Sequence, residues 1–136
     1  MCHYCEWAID KMWLRLKKDD FFRTPDFKVS SSFTISNKEA SKLIVLPKGG
    51  SKVSISKESF VEALHFLFSN DHHKSNQCEI AANNNEKEAG SLCLATREKN
   101  NKTRCITYIV PILQNNGLIG ICSDRRPRNK VWHLGI

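Results

Sequence analysis

Residues 103–134 read TRCITYIVPILQNNGLIGICSDRRPRNKVWHL, and this stretch decides the fold. Ile106, Ile109, Val110 and Leu113 share one face at helical spacing, which predicts a helix starting near Thr103. Asn115-Asn116-Gly117 supplies its C-terminal cap. Pro111 removes a backbone donor and crowds the preceding turn. The helix is therefore expected to kink after its first two turns and keep its N-terminal end intact. Leu118 to Cys122 and Val131 to Leu134 read as two strands. Between them lies Ser123-Asp124-Arg125-Arg126-Pro127-Arg128-Asn129.

Working upstream, Asn100-Asn101 breaks a second helix expected from Glu86 to about Arg97, with Ala89, Leu92 and Cys93 inward. Cys78 to Ala82 suggests one short strand. Ser56 is a plausible N-cap, with Glu58 in the first turn of a helix whose apolar face is Phe60, Val61, Leu64, Leu67 and Phe68. Residues 1 to about 55 have a different texture. Glu6 to Lys18 reads as a helix with Ile9, Met12, Trp13 and Leu16 on one stripe. Short strands follow around Val29, Phe33 and Ile35, then Leu43 to Leu46, then Val53 and Ile55. Pro47-Lys48-Gly49-Gly50 marks a turn. The fold class is α+β, in two parts: residues 1–55, a helix plus a small antiparallel sheet, and residues 56–136.

Charge is unevenly placed. The chain has 136 residues and a formal net charge of +7. From Arg97 onward the basic residues are Arg97, Lys99, Lys102, Arg104, Arg125, Arg126, Arg128 and Lys130, against only Glu98 and Asp124. Solubility scatters charge, whereas a clustered basic surface attracts polyanions. No apolar run approaches the roughly 20 residues of a membrane span. The start lacks the charged and apolar regions of a secretion signal, so the expected compartment is the cytoplasm. The six cysteines are scattered apart from Cys2 and Cys5, and are expected to be reduced thiols.

From Ser56 the order is helix, short strand, helix, tight break, helix, strand, basic loop, strand. That order resembles a winged helix-turn-helix. Pro111-Ile112-Leu113, then Gly117-Leu118-Ile119, then Asp124 and Pro127 are similar to winged helices appended to Fic-type, helicase-like and restriction or defence proteins. The resemblance implies sequence-specific binding of double-stranded DNA, as a small regulator or as the recognition part of a restriction or defence system. It implies binding without chemistry. On it, Thr103, Arg104, Thr107 and Tyr108 of the third helix would face the major groove, with Arg104 forking onto a guanine. Arg125, Arg126 and Arg128 at the wing, with Arg97, Lys99, Lys102 and Lys130, would meet phosphates.

Two other classes compete. One is a protein-interaction or dimerisation module, with the Trp-bearing N-terminal helix as its surface; a homodimer or a larger nuclease partner fits either reading. The other is a small metal-dependent nuclease built on Asp26, Glu39 and Lys42. Its lysine stands one residue too far from Glu39 to share a strand face. Cys2 and Cys5 have the spacing of half a zinc site, but no second pair follows; His72 and His73 would have to be recruited by folding. No cofactor is expected. His65 reads as a helix residue that packs or faces solvent, and Gly49-Gly50 as a turn only.

Overall fold

The computed structural model describes residues 3–24, 31–73, 75–80, 90–122 and 130–134, with the side chains of Glu79, Cys122 and Lys130 excepted. The elements are, in chain order, α1 (His3–Arg15), β1 (Phe21–Arg23), β2 (Ser32–Lys38), β3 (Lys42–Pro47), β4 (Val53–Ser56), α2 (Lys57–Ser69), β5 (Cys78–Glu79), α3 (Ser91–Glu98), α4 (Ile106–Asn115), β6 (Ile119–Cys122) and β7 (Lys130–His133). The class is α+β. Among the described residues two antiparallel sheets form, in the orders β1-β2-β3-β4 and β5-β7-β6.

The first sheet is a meander whose inner face is set by alternation. Phe33 and Ile35 of β2, Leu43 and Val45 of β3 and Ile55 of β4 point inward and are buried. A register shift between Ile35 and Asn37 marks a bulge. β1 escapes a sequence reading because three residues are too few to display a period. Val29, expected in a strand, lies outside the described residues.

α1 is fastened to this sheet at its C-terminal end. The Trp13 indole donates to the Glu39 carbonyl at 2.7 Å, and Lys38 Nζ donates to the Trp13 carbonyl at 2.9 Å. A lysine suits that end of a helix, where unsatisfied carbonyls gather. Trp13 also meets Phe60 of α2 edge-on, with ring centroids 5.4 Å apart.

α2 is the central helix. Ser56 caps it as the sequence suggests: its Oγ accepts from the Ser59 N–H at 3.2 Å. Phe60, Ala63, Leu64 and Leu67 are buried, and α2 packs against α1, α3, α4, β4 and β7. One core cluster unites residues from both sides of position 55, from Ile9 and Phe33 to Ile109 and Val131.

α4 ends as expected. Gly117 takes a φ of +75°, Gly117 N–H bonds to Gln114 and Leu118 N–H bonds to Leu113. This is the paired bonding of a Schellman cap, which needs a left-handed residue. The start of α4 differs from the sequence reading. The helix begins at Ile106, capped by Cys105, and Thr103 and Arg104 precede it. The cause is the connection from α3, in which Asn101 and Lys102 both adopt positive φ, at 53° and 61°. These left-handed residues stop short of Thr103, whose carbonyl then accepts from the Asn100 side chain at 3.3 Å, and Cys105 caps the helix at a φ of −143°. α3 starts later than Glu86 too, at Ser91 with Gly90 as N-cap; residues 81–89 lie outside the described ones.

Candidate nucleic-acid interface

The basic residues divide by location. Lys99 and Lys102, with Thr103, are exposed in the α3–α4 connection, and Arg104 beside them is partly buried. Arg97 is a correction. It was expected on the surface, yet it is only 3% exposed. It faces the interior of α3, where its guanidinium donates to Cys93 Sγ at 3.3 Å. Arg97 therefore cannot reach a phosphate. Arg125, Arg126 and Arg128 lie outside the described residues. Lys130 contributes its backbone to β7, and its side chain lies outside the description.

The connection that carries Lys99 and Lys102 is held by Asn100, which is 7% exposed. Its amide oxygen accepts from the Ser56 N–H at 2.8 Å. Its amide nitrogen donates to the Ser54 carbonyl at 3.1 Å and the Thr103 carbonyl at 3.3 Å. The Ser56 hydroxyl donates in turn to the Lys99 carbonyl. One side chain thus joins the edge of β4, the cap of α2 and the turn before α4. The sequence suggested only that Asn100 breaks a helix. What it does instead is fix the position of the basic turn.

This junction opens onto a groove of about 780 Å³ whose lining includes Lys42, Lys57, Lys99 and Asn101. Glu6, Asp10 and Glu58 line it too, and Lys57 pairs with Asp10, so the groove carries mixed charge. Lys42 and Lys57 come from the first half of the sequence and were not part of the expected basic set.

α4 offers less to a partner than its sequence suggests. Ile106, Ile109, Val110, Pro111, Ile112 and Leu113 are all buried. Tyr108, expected to face a groove, packs edge-on against Phe33 of β2 at 5.1 Å and is partly buried. It is committed to the junction between α4 and the first sheet. Thr107 is partly exposed, and Gln114 and Asn115 are exposed at the far end. Pro111 sits within a continuous helix and leaves the Thr107 carbonyl without the N–H it would otherwise accept.

Among the described residues, those that could carry chemistry are not brought together. Among the described residues no group of three or more His, Cys, Asp or Glu side chains could hold a metal ion. Cys5 is buried in the core beside Ile9, and Cys2 lies outside the described residues. Glu39 and Lys42 stand on opposite sides of the β2–β3 turn, joined by the Glu39 N–H to Lys42 carbonyl bond at 2.9 Å; Asp26 lies outside the described residues. Burial pushes the Cys105 thiol up to about 11, which keeps it protonated and unreactive at neutral pH. Among the described residues no helix is long and apolar enough to cross a membrane. Comparison with family models, with curated proteins and with solved structures gives no match.

Proposed function

We propose that residues 56–136 form a winged helix-turn-helix and that the chain binds double-stranded DNA without catalysing a reaction. The observation that carries this reading is the element order α2-β5-α3-α4-β6-β7 together with the sheet order β5-β7-β6. The order is the one the resemblance calls for. Pairing of β5 with β7 ties the strand after α2 to the last hairpin, so helices and hairpin share one core. The connection between β6 and β7 carries Arg125, Arg126 and Arg128 in sequence.

The burial of α4 shifts the expected balance of contacts. Much of the affinity falls to backbone contacts by Lys99, Lys102 and the three arginines. Base reading falls to the approach to α4, where Arg104 and Thr107 keep partial exposure. Recognition of this kind suits a small regulator or the specificity part of a restriction or defence system.

The test is selection of binding sites from random duplexes, followed by competition over single-base variants. Arg104→Lys keeps the charge and loses the planar fork. It should retain general binding and lose discrimination at one base pair, by about 1–3 kcal/mol. Equal weakening on every variant would make Arg104 a phosphate contact. Magnesium-dependent cleavage of the duplex would replace this reading with the nuclease one.

A further inference from the structure

The far end of α2 meets the last strand at a junction built from imidazoles. α2 runs into a loop whose Asp71 takes a φ of +56°, and the His72 N–H turns back to the Leu67 carbonyl at 2.8 Å. The loop is thus fastened to its own helix. Its tie to β7 is of another kind. The His133 N–H donates to the His72 carbonyl at 2.9 Å, and the His133 ring stacks on Phe68 with centroids 4.0 Å apart. The His72 ring stacks on Phe66, with centroids 5.9 Å apart, and His73 Nε2 lies 3.8 Å from the Asp71 carboxylate. Val131, earlier in the same strand, is fully buried and paired with β5. β7 is therefore anchored in the core at Val131 and joined to the loop by His133.

We propose that the contact between His133 and the α2–β5 loop is an acid-operated latch, closed while the imidazoles are neutral and opened at the end of β7 when they are charged. His133 Nδ1 is buried and has no hydrogen-bond partner among the described residues. A proton added there makes a charged donor without an acceptor, the costliest kind of unpaired polar group. His73 and His72 add like charge from the loop. Asp71 opposes them, but its side chain is 83% exposed and water screens it. The Phe68 face attracts a cation weakly and cannot supply the missing acceptor. On the other elements packed here, Ile119 of β6 stands opposite His133, Tyr4 of α1 meets Phe68 edge-on, and His65 precedes Phe68 by one turn of α2. Burial and the neighbouring imidazoles hold His133 below its ordinary range. A released strand end, open to water, takes up its proton near the ordinary value. The latch is therefore closed above about 6.5 and yields as pH falls through that value toward the lower one of the closed form. Parting falls at the His133–His72 bond, because the segments on either side of it are fastened elsewhere. The latch does not depend on the duplex reading.

Hydrogen exchange of the intact chain tests it, followed amide by amide and corrected for the intrinsic rate at each pH. The His133 amide should lose protection as pH falls below about 6.5. The Ile35 amide, bonded to the Asp20 carbonyl beside the first sheet, should keep its own over the same range. His133→Phe keeps an aromatic ring on Phe68 and cannot titrate, so the amide at position 133 should stay protected in acid. His73→Gln removes like charge from the loop and should leave a smaller loss. The second variant keeps the test sharp if His133→Phe folds poorly. Protection at His133 that ignores pH overturns the proposal. So does a loss that persists undiminished in either variant, or one shared equally by Ile35, which would be unfolding of the whole chain.

Discussion

Asn100 and His133 carry the clearest consequences at the scale of single residues. Asn100 supplies one acceptor and two donated bonds from a side chain that is largely covered. Asn100→Ala leaves the Ser56 N–H and the Ser54 carbonyl unsatisfied, and should cost about 2–4 kcal/mol in urea unfolding. Asn100→Asp keeps the acceptor but turns a carboxylate oxygen toward the Ser54 and Thr103 carbonyls, so at neutral pH a loss at least as large as that of alanine is expected. His133 stacks on Phe68 with centroids 4.0 Å apart, and its Nδ1 is buried with no hydrogen-bond partner among the described residues. Burial, then the neighbouring His73, hold the imidazole below its ordinary range, with His72 adding and Asp71 opposing. The unfolded chain thus binds this proton more readily than the folded one. Stability is full above the unfolded value of about 6.5 and falls as pH drops through it toward the lower folded value. Unfolding midpoints measured across that window should decline with acid, and His133→Gln should flatten the decline. An unchanged slope would remove His133 as the source. Neither role is legible in the sequence. Asn100 looks like a helix breaker, and His133 looks like one more strand residue, because both act through partners distant in the chain.

At the scale of elements, local chemistry was legible and placement was not. The cap at Ser56, the glycine stop after α4 and the alternation in β2 and β3 are all local, set by residues within one turn or one strand. The start of α4 was misread because the apolar period of Ile106 to Leu113 says nothing about the two left-handed residues before it. The burial of Arg97 and the packing of Tyr108 on Phe33 are not legible in the sequence, because a polar tip does not reveal which neighbour covers it. The β6–β7 hairpin makes an element-scale prediction. Gly120 faces Trp132 across the strands, and a Cβ built there would lie 2.4 Å from the indole ring. Gly120→Ala must push the indole aside and should destabilise the protein by about 1–3 kcal/mol. The change should be accompanied by an altered Trp fluorescence maximum. An alanine variant as stable as the parent would mean that the indole moves at no cost.

The whole molecule has one core that crosses the boundary suggested near residue 55. Phe60 touches Trp13 of α1 while lying in the helix on which α3 and α4 pack. Phe60→Ala should therefore cost about 3–5 kcal/mol. Fluorescence and far-ultraviolet circular dichroism should report the same single transition. Separate transitions for the two halves would show that the shared core is not cooperative. The α+β class and most of the element order could be read from periodicity, capping residues and turns. The packing of the first sheet over Tyr108, which closes part of α4, could not, because it depends on contacts between distant segments. That closure leaves the basic turn and the three arginines as the principal contacts in the proposed duplex complex. The direct measurement is the affinity of the intact chain for a labelled duplex, by fluorescence anisotropy, over a series of salt concentrations. The account predicts saturable binding whose logarithm falls linearly with the logarithm of salt. With Arg125, Arg126 and Arg128 all changed to alanine, the slope should flatten by up to about three phosphate contacts. No saturable binding at low salt, or an affinity indifferent to salt and to the three arginines, would contradict it.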